Sequence, residues 1–245
     1  MSRLRPATAE RAIKSGIRGV LRRAGYEIRP IDAAFPELQR DLLGECDLVV
    51  DVGANVGQYV TLMRSLGYAG AVVSFEPEEG AFAGLSLAAA DDLYWDVRPL
   101  ALAEQGGYAT LHVSGNSVSS SLLPMRPAHM KAAPLSVPVG PQEVTVSTLD
   151  AELADVKGDR IWLKLDVQGM ELPVLHGATG TLARTHVVQA ELSLIPLYDG
   201  QTDYLELLSF LGGEGFVVAH ILPGFRDRES KRLLQFDALF VSDTR

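Results

Sequence analysis

The sequence predicts an α/β fold on a mostly parallel sheet of about seven strands, with helices on both faces. Short β-branched apolar runs alternate with helix-patterned stretches along most of the chain, the rhythm of parallel strands joined by crossover helices. The first such run, Leu48–Val52, passes straight into a glycine-rich turn and a helix, the opening unit of a doubly wound sheet. Asp51, Glu76, Asp166 and Glu191 all fall at or near the carboxyl ends of predicted strands. Open α/β sheets bind their ligands at those ends.

At 245 residues the chain accommodates one such domain and an appendage. We divide it into a basic N-terminal helical extension and linker, residues 1–45, and a main domain, residues 46–245. Apolar residues make up 47% and charged residues 22%, enough to bury a large core. A lone cysteine, Cys46, excludes an internal disulfide and a cysteine-cluster zinc site. No apolar run approaches the ~18 residues of a membrane span, and no hydrophobic signal segment opens the chain, so a cytoplasmic protein is expected.

The net charge of −9 is uneven: residues 1–30 carry eight basic and two acidic side chains, leaving −15 on the rest. So acidic a main domain argues against a nucleic-acid partner. In the basic segment, Thr8 caps a helix running to about Ala24. Ile13, Ile17, Val20 and Leu21 share one face, and Arg11, Lys14, Arg18 and Arg22 the other. Such a helix packs on its own domain or on a second copy in a homodimer, or it makes peripheral contact with an anionic membrane surface.

Pro30–Pro36 reads as a linker and Glu37–Leu43 as a short helix. Strands follow at Leu48–Val52, Ala71–Phe75 and Leu93–Leu100, separated by helices at Gln58–Leu66 and Glu79–Ala90. Tyr108–Val113 alternates as a strand, and Ser114–Pro141 then breaks the rhythm with five prolines and a serine cluster. An irregular insertion of this length, bounded at about residues 106–143, is expected to be a lid over the strand ends. Val144–Leu149, Arg160–Asp166, Val187–Leu192, Phe216–Ile221 and Phe236–Val241 read as strands. Helices are expected at Asp150–Ala154, Glu171–Leu175 and Asp203–Leu211.

The glycine turn narrows the ligand. A dinucleotide fingerprint requires glycine where Asn55 and Gln58 stand, so the phosphate cradle is poor, and Asp51 would repel a pyrophosphate. An acid there suits a cationic ligand. Glu76 at the end of the next strand is placed to accept from ribose hydroxyls, which alone would suit NAD equally well. Together the two acids and the G-x-N-x-G turn favour the sulfonium cofactor S-adenosylmethionine.

These residues resemble the FkbM-type S-adenosylmethionine-dependent methyltransferases over roughly residues 47–241. The resemblance lies in D-V-G-A-N-V-G-Q-Y (51–59), F-E-P (75–77), A-L-A-E (101–104), T-L-D (148–150), L-K-L-D-V-Q-G-M-E (163–171), V-L-H-G-A (174–178) and Q-A-E-L-S-L-I-P-L-Y-D-G (189–200). It implies a class I, Rossmann-like methyltransferase fold and methyl transfer to a hydroxyl of a sugar, glycolipid or secondary metabolite. The family commonly has Glu where Gln168 stands, so any role of that Glu is missing here or has moved to Asp166 or Glu171.

The candidate catalytic residues are Asp166, Glu191 and Glu171, since an alcohol needs a base or a metal to accept its proton. Cofactor binding is assigned to Asp51, Gly53, Asn55 and Gly57 at the methionine end, Glu76 and Pro77 at the ribose, Ala101 or Leu102 at the adenine, and Asn116 with Ser119 on the insertion. No residue is assigned to a metal. Magnesium held by Asp166 and neighbouring acids stays an open alternative. Lys164, inside a buried run, is expected to pair with an acid, and His129 to lie in solvated loop. The competing functions are an NAD-dependent oxidoreductase and a non-catalytic methyltransferase-like module at a membrane surface.

Overall fold

The computed structural model describes residues 37–243. The expected N-terminal helix and the Pro30–Pro36 linker lie outside the described residues. The site lies within residues 42–245, one of the two units into which the chain divides. The first described helix, α1 (Glu37–Gly44), leads to strand β1 (Leu48–Val52). Then come α2 (Gln58–Ser65), β2 (Ala71–Phe75), α3 (Glu79–Ala89) and β3 (Trp95–Arg98). The middle of the chain holds β4 (Ala101–Leu102), β5 (Gly107–Ser114), α4 (Pro127–Ala132), β6 (Pro138–Ser147) and α5 (Leu149–Glu152). The last third holds β7 (Ile161–Leu165), α6 (Glu171–His176), α7 (Thr179–Leu182), β8 (Thr185–Ser193), α8 (Tyr204–Gly213), β9 (Phe216–Pro223) and β10 (Gln235–Ser242).

Seven strands form the expected sheet, in the order β3-β2-β1-β7-β8-β10-β9. β10 runs antiparallel to β8 and β9, and the remaining neighbours are parallel. β1 and β7 occupy the centre, and every residue of both is buried. Strands covered on both faces must read as continuous apolar runs, as L-V-V-D-V and I-W-L-K-L do but for one charge each. Asp51 and Lys164 are paired in register, so the two charges meet across the strands. Leu153, Val174, Leu175, Leu182, Leu207 and Leu211, from or beside the helices, close the main core over the strand residues.

Two expectations are corrected here. The strand expected over Leu93–Leu100 stops at Arg98, and Ala101–Leu102 joins a second sheet of order β4-β6-β5. Pro99 lies between the two segments and has no N–H to give a ladder. The second correction concerns Pro138–Glu143, expected as irregular insertion, which forms the first half of β6 and pairs with β5. β4 reaches only Val146 and Ser147, so Pro138 and Pro141 sit where β6 has a free edge that needs no donor. Cys46 is buried and free, and burial pushes its thiol up to about 12, consistent with an inert thiol.

Candidate active site at the carboxyl edge of the sheet

Where β1 ends, the chain must turn sharply beneath the end of β7. Gly53 has φ +77°, and a Cβ there would overlap the carbonyl oxygen of Asp166, so only glycine fits. Gly53 and Ala54 both donate their backbone N–H groups to the Phe75 carbonyl at the end of β2, which fixes the turn against the next strand. Asn55 follows in the left-handed region, and its N–H donates to Glu76 Oε2 at 2.8 Å. Glu76 Oε1 accepts from the Glu78 N–H, also at 2.8 Å. The Glu76 carboxylate is therefore held from both sides, and burial pushes its pKa up to about 7 against those two N–H groups.

A cavity opens beside this turn. Its apolar walls include Val52, Phe75, Leu100, Leu102 and Leu122, and its polar groups include Glu76, Asp166 and Gln168. Of the residues assigned from sequence, Gly53, Asn55, Glu76, Pro77, Ala101, Leu102 and Asp166 line it. The others are placed elsewhere, each for a visible reason.

Asp51 is fully buried beneath the turn, with Lys164 Nζ 3.1 Å from its Oδ1. Lys164 also donates to the Gly53 carbonyl at 3.2 Å and lies 3.5 Å from Asp166 Oδ2. Burial works against the lysine's charge, but Asp51 and Asp166 outweigh it and hold the ammonium above its ordinary value. Gly57 backs onto Trp95, which a Cβ would meet at 2.8 Å. Asn116 braces the insertion turn by donating to Ser119 Oγ, and its neighbours Ser117, Val118, Ser120 and Ser121 face the cavity instead. Glu171 accepts the Val167 and Gly169 N–H groups, clamping the turn before α6, and burial lifts it to about 7. Glu191 lies beside the cavity lining, and its Oε2 accepts from the Gln168 and Gln235 amides at 2.8 and 2.6 Å.

Sequence reasoning missed two members of this group. Gln168 stood in a turn with no chemical signal of its own, and Asp237 lay in a strand distant in sequence. β10 puts Asp237 directly opposite Glu191, and burial together with Asp166 pushes it up to about 6. Burial first, then Asp166, Asp237 and Glu171, push Glu191 well above an ordinary glutamate. His129 is also corrected: it is buried, edge-on to Tyr198 and against Phe225, because α4 packs inward. The insertion is tied down by Asn55 to Ser117, Ser121 to the Gln168 carbonyl and Tyr198 to the Ser119 carbonyl.

S-adenosylmethionine fits this chemistry. The apolar slot suits a nucleobase, and the turn at Gly53–Asn55 lets a ligand approach the backbone closely. Glu76 keeps lone pairs for ribose hydroxyls after accepting two N–H groups. A divalent cation does not fit. Among the described residues no three ligating side chains converge, and the groups nearest Asp166 are an amide NH₂ and an ammonium.

No curated protein sequence matches the chain. Solved structures that resemble it include magnesium protoporphyrin IX methyltransferase from Synechocystis with bound SAM, 15% identical over 87% of this chain and 78% of that one, TM-score 0.46. A Streptococcus thermophilus rRNA methylase is 13% identical over 88% and 97%, TM-score 0.45. A human methyltransferase 10 domain containing protein is 12% identical over 96% and 97%, also with TM-score 0.45. At this distance they say nothing of the acceptor. The family model described as the methyltransferase FkbM domain matches residues 51–218, which takes in the end of β1, the glycine turn, all of β7 and the acids at the strand ends. That match spans more than half of the chain, and its sheet order is that of a class I, Rossmann-like methyltransferase: the chain belongs to the FkbM methyltransferase family.

Proposed function

We propose that this S-adenosylmethionine-dependent methyltransferase is an O-methyltransferase, and that its acceptor is a hydroxyl of a sugar, glycolipid or secondary metabolite. The observation that carries the reading is Asp166. It lines the cavity at the end of a central strand, its side chain 38% exposed, with a donor beside each carboxylate oxygen. Methyl transfer to an alcohol requires a group that takes the hydroxyl proton, and a placed base contributes ~10²–10⁴-fold.

When bound, the cofactor supplies an electrophilic methyl group. Glu76 and the Gly53–Asn55 backbone would hold it, and the apolar walls exclude water. Lys164 Nζ stands 3.5 Å from Asp166 Oδ2. Asp166 Oδ2 would take the acceptor's hydroxyl proton. Fixing the two reactants in one cavity supplies much of the remaining acceleration.

Calorimetry with S-adenosylmethionine, followed by a mass-spectrometric screen of glycosides, glycolipids and amines with labelled cofactor, tests the reading. Label in a hydroxyl acceptor is expected. Label confined to amines would overturn the oxygen assignment, and binding without transfer to anything would favour the non-catalytic module. Membership of a methyltransferase family leaves the oxidoreductase reading without support. No helix among the described residues is long and apolar enough to cross a membrane. The basic segment 1–30 favours a glycolipid among the acceptors, through peripheral contact with anionic lipid. Flotation with anionic vesicles, with and without residues 1–30, checks that contact.

A further inference from the structure

We propose that Gln168 is the positioning residue of this site. Its single carboxamide aims Asp166 into the cavity and ties it both to Glu191 and to the insertion. The inference rests on the reading of Asp166 as the base. Gln168 Nε2 has two hydrogens, and both are committed: one to Asp166 Oδ1 at 2.7 Å, the other to Glu191 Oε2 at 2.8 Å. Oε1 of the same amide lies 2.8 Å from the Tyr198 hydroxyl, whose single proton it shares with the Ser119 carbonyl at 2.9 Å. The network fixes which way the amide points, because a flipped amide would put its oxygen against two carboxylates. The backbone carbonyl of Gln168 accepts from Ser121 Oγ at 2.8 Å.

Gln168 is 8% exposed and lines the cavity with φ +54°, a conformation that costs a non-glycine residue about 1 kcal/mol. A residue keeps such a conformation when its surroundings over-determine it, and here four hydrogen-bonding partners do so. Lys164 stands on the other side of Asp166, near Oδ2, so each oxygen of the carboxylate has its own donor. An amide is also the group of this size that donates to two acids at once without adding charge. A carboxylate at 168 would place a third acid between Asp166 and Glu191, beside Asp237 on β10 and Glu171 on α6. The remaining titratable groups facing the amide are Lys164 from β7, with Asp51 behind it on β1, and Tyr198. Tyr198 and Ser121 carry the restraint outward to the insertion, so the segment that covers the cavity is the one that sets the base.

The test is carboxyl-detected NMR on the full chain labelled at aspartate and glutamate, with Asp166→Asn used to assign the Asp166 signal. At one fixed pH, Gln168→Leu removes both donors and is expected to shift the Asp166 carboxyl resonance away from its position in the parent. Gln168→Glu, which also withdraws both donors, should shift it as well. Tyr198→Phe, which frees the amide without removing it, should shift it the same way by less. An Asp166 resonance superimposed on that of the parent in folded Gln168 variants would overturn the proposal. If those variants do not fold, an unmoved resonance in Tyr198→Phe overturns it instead. Calorimetry of the parent with S-adenosylmethionine separates the two layers. A shifted resonance without cofactor binding would refute the methyl-transfer reading alone, and binding with an unmoved resonance would refute the positioning alone.

Discussion

Replacing Glu76 by glutamine has an effect on stability whose sign depends on pH. In the folded chain Glu76 is buried and its pKa lies at about 7, above an ordinary 4.5. Ionising it therefore costs stability. The cost is absent below the ordinary value, grows as the pH rises, and is complete above the folded value. At roughly 1.4 kcal/mol per pH unit, the wild type pays about 2.5 kcal/mol more at pH 8 than at pH 5 through this group. Glutamine removes that dependence but leaves an NH₂ facing one of the two N–H groups that Glu76 accepts, which costs about 1–3 kcal/mol at any pH. The variant should therefore be the less stable protein at pH 5 and draw level or better at pH 8. Urea titrations of both proteins at the two pH values measure this. Taking the difference cancels the contributions of Glu171 and Asp237, provided those groups respond alike in both proteins. A stability difference that changes by less than about 0.5 kcal/mol between pH 5 and pH 8 would refute the assignment of a buried, raised Glu76.

Glu76→Ala should weaken S-adenosylmethionine by about tenfold or more in calorimetry, since hydrogen bonds to a charged acceptor are worth about 1.5–3 kcal/mol. Gly53→Ala meets the Asp166 carbonyl at a positive φ and should cost at least about 2 kcal/mol in urea unfolding, as both strain and overlap oppose it. Lys164→Met leaves Asp51 buried without its partner and should cost about 3–5 kcal/mol. Adding Asp51→Leu should recover part of that loss, and a double variant no more stable than the single would refute the pairing. Asp166→Asn should lower methyl transfer ~10²–10⁴-fold in the labelled-cofactor assay while cofactor affinity changes only a few-fold.

The sheet and the glycine turn beside the cavity were legible in the residues alone. Central strands must be apolar on both faces, so β1 and β7 were legible as short runs, and a turn that only glycine and asparagine tolerate marks itself at 53–57. Glu76 is legible for the same reason, because strand ends are where such folds bind. Which acids line the cavity was settled only by the packing of the folded chain. Whether an acid at a strand end points into a cavity or into its own turn depends on strands brought together from distant parts of the chain. Asp51 looked like a ligand and is the buried counter-ion of Lys164, because the register of two parallel strands places them side by side. Asp237 carried no signal until β10 folded back antiparallel and set it against Glu191. Gln168 read as a departure from a family pattern, and its four partners come from four separate stretches of chain. Periodicity records what a residue's own element buries. It carries no record of what a neighbouring element brings alongside, and that is the information an active site is made of.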